Sequence, residues 1–291
     1  MLTVTDLHKR FGDKEVLKGV SLQVPQGSIF GFIGRNGAGK TTTMKAVLGL
    51  LQPDAGEIFV AGERVRYGET PTNRHIGYLP DVPEFYGFLT AKEYLRLCAD
   101  IRGTDPKQIP ELLDLVGLGS EKHRIRGWSR GMKQRLGIAQ ALLGDPNLLI
   151  CDEPTSALDP VGRKEILELL KSVKDRTTIL FSTHILSDVE RICTDVAILH
   201  EGTIAVEGSV ETLRRMHKTE EVTIELSSAE DAEMLMRALP SLTRKSGEIL
   251  TFSGDDAALF ALLSRLAEQR IAPRRIERTE PTLESDRKSV V

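Results

Sequence analysis

The sequence predicts an α/β fold: a parallel sheet preceded by an antiparallel β subdomain, interrupted by an inserted helical subdomain and followed by a small C-terminal α+β module. Three observations carry this expectation. A compact apolar run, Ile29 to Ile33, leads straight into a glycine-rich loop. Apolar β-rich runs recur at Leu148 to Cys151, Thr178 to Ser182 and Val196 to Leu199, the first two separated by a helical segment, Gly162 to Val173, and such alternation builds parallel sheets. Between about 86 and 144 the apolar spacing is helical, in Ala91 to Ile101, Ile109 to Val116 and Met132 to Leu143, with Pro, Gly and polar breaks between.

The remaining elements follow the same patterning. Leu2 to Leu7 and Val16 to Val24 alternate as strands do, and Gly56 to Val65 reads as a hairpin that turns near Ala61 and Gly62. Thr42 to Leu50 has helical character. After Leu213 the pattern changes to strand, helix, strand, helix, strand at Glu221–Leu226, Ala229–Leu239, Ile249–Phe252, Ala257–Gln269 and Arg274–Glu277. The expected division is therefore 1–215, with its helical subdomain at about 86–144, then an accessory module at 216–283 and a frayed tail at 284–291.

Composition narrows the partners. A chain of 291 residues exceeds the roughly 250 at which single cores usually stop growing, so two domains are expected. A hydrophobic content of 40 % excludes a disordered chain, and 39 Lys+Arg against 42 Asp+Glu leave no basic excess for nucleic acid. No apolar stretch approaches the roughly 18 residues that span a bilayer, and the charged start, Met1 to Phe11, lacks the core of a signal peptide, so a cytoplasmic protein is expected. Cys98, Cys151 and Cys193 lie far apart without metal-ligand spacing and read as reduced, packed thiols.

Gly34-Arg35-Asn36-Gly37-Ala38-Gly39-Lys40-Thr41 fits G-x-x-x-x-G-K-[ST] between a strand and a helix, the context that makes it a phosphate-binding loop. Its glycines let backbone amides turn toward phosphate oxygens. The following helix presents its positive end, Lys40 reaches the terminal phosphates, Thr41 offers a hydroxyl to Mg²⁺, and Thr42 adds a phosphate contact. This points to a P-loop NTPase and to ATP or a similar nucleotide with Mg²⁺. The loop alone does not separate kinases, GTPases, helicases and transport ATPases.

The paired carboxylates Asp152 and Glu153 end an apolar strand 112 positions after Lys40, and a buried strand rarely ends that way unless the charges meet a cation. Asp152 can support Mg²⁺; Glu153 then stands where a base would activate the water attacking the γ-phosphate. Twenty-three residues before Asp152, Ser129 is placed to cap the helix that begins near Gly131, which makes a second anion site separate from the loop.

With these motifs in this order, residues 1 to 215 resemble an ABC transporter ATPase subunit. The resemblance casts Ser129 and Gly131 as the signature that meets nucleotide, Asp159 of Ser156-Ala157-Leu158-Asp159 as the aspartate of the following loop, and His184 as a γ-phosphate contact. Phe11 matches the aromatic that stacks on adenine. Trp128, Arg130 and Met132 depart from the common Leu-Ser-Gly-Gly-Gln signature and look like the S-x-G-M variant of the drug-, lipid- and sodium-export branch. Asp81 stands where the family has a glutamine, and its part in Mg²⁺ coordination stays open. Glu280-Pro281-Thr282-Leu283-Glu284 resembles a terminal stretch of the same branch.

The resemblance implies a dimer closing around ATP, as a homodimer or with a related subunit. It also implies a separate membrane permease that holds the chain on the inner face of the membrane and docks near Asp81 to Thr90. A soluble ABC ATPase acting on ribosomes or DNA is the alternative. A single motif set and an interval without sustained heptads count against it.

Overall fold

The computed structural model describes residues 1–68, 71–216, 221–239, 241–253, 256–269 and 271–279. The chain divides into two compact units, Met1–Val210 and Glu211–Val291. The Glu280 to Glu284 stretch and the tail lie outside the described residues.

The first unit opens with β1 (Leu2–Phe11) and β2 (Lys14–Val24), antiparallel with Leu2 opposite Val24 and Phe11 opposite Lys14. β1 runs four residues beyond the expected end at Leu7, because its outer half stays paired up to the turn at Gly12 and Asp13. β4 (Ala55–Val60) joins its other edge and turns into β5 (Glu63–Arg64) through Ala61 and Gly62, both at positive φ, the conformation a two-residue hairpin prefers. The register slips between Val4 and Leu7, where Asp6 bulges out, and Gly56 passes so close that an added Cβ would lie 2.4 Å from the Asp6 carbonyl oxygen.

The main sheet has the order β10-β9-β3-β8-β7-β6. Its parallel members are β3 (Ile29–Gly34), β6 (Ile76–Leu79), β7 (Leu148–Asp152), β8 (Thr178–Thr183) and β9 (Asp195–His200), with β10 (Thr203–Ser209) antiparallel on the edge. Every residue of β3, β7 and β8 is buried, which accounts for their unbroken apolar runs. One core, with Leu7, Leu22 and Ile58 from the first sheet and Phe30, Phe32, Ile150 and Leu180 from the second, packs around Met44 and Val47 of α1 (Lys40–Val47). The register brings the carboxyl ends of β3, β7 and β8 level, Ile33 beside Thr183 and Asp152 beside Ser182. Ligands of parallel α/β sheets bind at such ends.

Between β6 and β7 lie α2 (Ala91–Arg102), α3 (Ile109–Leu115) and α4 (Arg130–Leu142). Thr90 and Glu93 form a capping box at the start of α2 and Gly103 ends it in the left-handed conformation. α4 returns to the sheet so closely that a Cβ on Gly77 of β6 would lie 2.0 Å from the Ala141 carbonyl oxygen. The unit is completed by α5 (Pro160–Ser172) and α6 (Leu186–Ile192), and α7 (Val210–Met216) begins at the division. No helix of the described residues is long and apolar enough to cross a membrane.

The second unit contains β11 (Glu221–Glu225), α8 (Ala229–Ala238), β12 (Thr243–Ser246), β13 (Ile249–Ser253), α9 (Asp256–Glu268) and β14 (Arg275–Thr279). The βαββαβ succession with antiparallel sheet order β12-β13-β11-β14 is a ferredoxin-like arrangement. It has a hydrophobic core of its own residues, with Val222, Ile224, Leu235, Leu250, Phe252, Leu262 and Leu266 in one buried cluster.

Candidate nucleotide-binding site

The loop between β3 and α1 is shaped by glycine at the positions where a side chain would not fit. A Cβ on Gly34 would meet the Leu199 carbonyl oxygen at 2.9 Å, and Gly39, at φ +115°, would place one 2.7 Å from Leu17. Gly39 precedes α1 without any side-chain cap, so the first-turn amides have no intrahelical acceptor and can receive an anion. Buried Lys40 donates from Nζ to the Gly34 carbonyl at 2.7 Å, and the same atom lies 3.1 Å from Oε1 of Glu153.

Asp152, at the buried end of β7, accepts from Thr41 Oγ1 at 2.8 Å and from Ser182 Oγ at 2.6 Å. The next residue, Glu153, has φ +48°, a left-handed conformation that costs a non-glycine residue about 1 kcal/mol or more. Its amide donates to Ser182, to Oγ at 2.9 Å and to the carbonyl at 3.2 Å, and this holds the turn. The carboxylate then reaches both neighbours: Oε2 lies 2.8 Å from His184 Nδ1, while buried Oε1 faces Lys40 without a hydrogen bond.

Thr41, Thr42, Asn36, Gly37, Gly39 and Lys40 share a cavity of about 270 Å³ with Asp81, Asp152 and Glu153. Burial, with the charges of Asp152 and Asp81 beside it, pushes the Tyr78 phenol up to about 12, and burial likewise raises the Cys151 thiol. Asp81 is also tied to α4: its carboxylate meets Arg130 at 3.4 Å and its carbonyl accepts from the buried Gln134 side chain at 2.9 Å.

The structure thus joins Lys40, Thr41, Asp152, Glu153 and His184, and adds Asp81. It does not bring Phe11, Ser129, Gly131 or Asp159 into the lining of this cavity. Exposed Ser129 caps α4, accepting from the Met132 amide at 3.2 Å, and nothing lies within 4 Å of a Cβ built on Gly131. Asp159 caps α5, accepting from the Gly162 amide at 3.1 Å. Phe11 is 50 % exposed, with Lys9 Nζ 5.5 Å from its ring centre, so it is not core packing. Ser182, whose hydroxyl donates to the Asp152 carboxylate and accepts from the Glu153 amide, has no local sequence signal; what marks it is the strand register that puts it beside Asp152.

After Asp81 the chain carries three aromatics with two fates. Phe85 packs edge-on against Tyr94 at 5.0 Å, whereas Tyr86 and Phe88, 5.8 Å apart, are 57 % and 65 % exposed. Val82, Pro83, Phe85, Arg126, Arg130 and Lys133 line an adjoining groove of about 440 Å³.

Comparison with known proteins agrees with this geometry. The profile of the family described as ABC transporter matches residues 17–156. The ABC transporter ATP-binding protein YxlF of Bacillus subtilis is 42 % identical over 229 residues, 77 % of this chain and 76 % of that protein. The bacitracin transport ATP-binding protein BcrA of Bacillus licheniformis is 43 % identical over 240 residues, 81 % of this chain and 78 % of its own. A solved structure of the ATP-binding subunit of an ABC transporter superposes with a TM-score of 0.67 at 36 % identity, covering 74 % of this chain and 92 % of that one. The chain therefore belongs to the ABC transporter ATP-binding proteins, the ATPase subunits of such transporters.

Proposed function

We propose that the chain hydrolyses Mg²⁺-bound ATP with Glu153 as general base and that, as a dimer, it drives a separate permease exporting a drug-like or other small substrate. The observation that carries this reading is the unbroken line Lys40–Glu153–His184, with contacts of 3.1 and 2.8 Å, at the level carboxyl ends of β3, β7 and β8. A phosphate on the loop competes with Glu153 for Lys40, which frees Oε1 to take a proton from water. The water oxygen bonds to the γ-phosphorus, the bond to the β-phosphate oxygen breaks, and ADP leaves with that electron pair. His184, on the far side of Glu153, orients the carboxylate and faces the transferred phosphoryl group.

The residues fit Mg²⁺. Thr41 and Asp152 offer hard oxygen atoms 2.8 Å apart, and among the described residues no group of three His, Cys, Asp or Glu side chains forms a metal cage. Mg²⁺ in phosphate-transferring sites takes one or two carboxylates and completes its shell with phosphate and water; it supplies neutralisation of the phosphate charge. Asp81, in the same cavity, is a third candidate oxygen donor.

Exposed Ser129 and Asp159 cap their helices and half-buried Gly131 sits in the first turn of α4; in this reading the three complete a partner's nucleotide site, and Phe11 stacks on the adenine. The exposed pair Tyr86 and Phe88, beside a groove with three basic residues, supports permease docking, and docking would hold the chain on the inner face of the membrane. Export is supported by the Ser129-to-Met132 signature form and by similarity to a bacitracin transport protein. In the same reading residues 1–215 act as the ATPase and 216–283 as an accessory module that regulates it or steadies the dimer.

Replacing Glu153 by Gln tests the assignment. The variant is expected to bind ATP, to lose turnover by about 10²- to 10⁴-fold, and to accumulate as an ATP-bound dimer in size-exclusion chromatography. Turnover at the wild-type rate by the folded variant rejects it.

A further inference from the structure

Asp188 carries a full carboxylate on α6 at 2 % exposure, a placement that costs several kcal/mol unless the charge is paired. Its partners come from two other segments. Oδ2 accepts from Thr155 Oγ1 at 2.8 Å, and Oδ1 from Arg163 Nε at 2.5 Å. The Arg163 guanidinium also reaches Ser187 Oγ at 2.9 Å, which fixes its plane against α6.

Each of the three segments leads directly to a candidate site residue. Thr155, 1 % exposed, lies two positions after Glu153; Arg163 lies four after Asp159 and donates its amide to that residue's carbonyl at 2.9 Å; Asp188 lies four after His184. The loop from Glu153 to Asp159 carries turn hydrogen bonds from the Ser156 amide to the Glu153 carbonyl at 3.0 Å and from the Leu158 amide to the Thr155 carbonyl at 3.4 Å. Two staples therefore close the same pair of loops: Glu153 with His184, and Thr155 with Asp188. The first survives only while both loops keep their places, since a shift of about 1 Å takes a 2.8 Å contact out of hydrogen-bond range.

We propose that Asp188 is a positioning residue for ATP hydrolysis: through Thr155 and Arg163 it locks the loop that carries Glu153 against the helix that follows His184, and so sets the Glu153–His184 contact. Arg163 extends the lock to Asp159, so that movement of that exposed loop reaches the hydrolytic pair. The inference rests on the proposed roles of Glu153 and His184.

The test uses the full-length chain and reads kcat, the ATP dissociation constant and the melting temperature together. Thr155→Val removes the hydroxyl and keeps the shape; kcat is expected to fall about ten-fold with ATP affinity within about two-fold, while Thr155→Ser, which keeps the hydroxyl, restores at least half of the rate. Asp188→Asn is expected to repeat the loss. Arg191→Gln, which breaks the exposed α5–α6 ion pair with Glu168, is expected to leave kcat unchanged. Wild-type kcat in Thr155→Val, with or without a lowered melting temperature, overturns the proposal, as does an equal loss in Thr155→Ser. Should Asp188→Asn fail to fold, the threonine pair still decides. If Glu153→Gln turns over normally, the underlying reading fails; if it is inactive while Thr155→Val is fully active, only the role of Asp188 is lost.

Discussion

Nζ of Lys40 lies 3.1 Å from Oε1 of Glu153, so the cation of the phosphate loop and the candidate base form one buried ion pair. Each holds the other's charge in a site that solvent barely reaches. In the proposed function binding draws on Lys40 and turnover on Glu153.

Lys40→Ala is expected to raise the ATP dissociation constant by about a hundred-fold, through loss of a charge-assisted phosphate contact. It also leaves the Glu153 carboxylate buried without that counter-charge, which lowers the melting temperature of the nucleotide-free chain. Calorimetric titration and a thermal scan check both. Unchanged affinity would remove Lys40 from the phosphate site.

Tyr86→Ala combined with Phe88→Ala is expected to cut transport in reconstituted membranes by about ten-fold or more while leaving most of the ATPase activity of the isolated chain. Exposed aromatics commonly anchor interfaces, and these two stay more than half exposed although the Tyr86 ring also lies 6.4 Å from that of Tyr94. Full transport by the folded double variant would take the loop out of the coupling path.

Gly77→Ala is expected to destabilise the chain by about 1–3 kcal/mol in urea unfolding, because the new methyl group would stand 2.0 Å from the Ala141 carbonyl oxygen and 2.8 Å from its carbon. Backbone has to move to admit it. Unaltered stability would mean that α4 shifts freely on β6.

Truncation after Arg215 is expected to leave a folded protein with unchanged ATP affinity, since the C-terminal module has a separate core. Its ATPase rate, dimerisation or transport should change. If all three match the full-length chain, the accessory role falls.

The phosphate loop and the carboxylate strand were legible because their chemistry is local: a turn that needs glycine, an apolar run that ends in charge. Elements of the sheet were legible where they were long and apolar, as at β3, β7 and β8. β6 was not read as a strand because it has four residues, one of them Gly77, and α6 was missed because its seven residues carry no side-chain cap. α1 begins at Lys40, two residues before the expected start at Thr42, and ends at Val47 rather than Leu50, since the phosphate loop itself supplies the first turn and Gly49 closes the last in a left-handed conformation. Ser182 and Asp188 escaped for a different reason. Their roles exist only once β7 lies beside β8 and α6 beside the loop from Glu153 to Asp159, relations that no local pattern encodes. The left-handed backbone of Glu153 is of the same kind: nothing in the residue type announces it.

In the ferredoxin-like unit the first strand and the last are neighbours, with Glu221 opposite Thr279. Its two ends therefore meet at one point on the sheet, and the unit can be lifted out, grafted elsewhere or reconnected in a different order without passing a chain through its core. A module with adjacent ends is portable, which makes the C-terminal unit, Glu211–Val291, the part free to differ between otherwise similar ATPases.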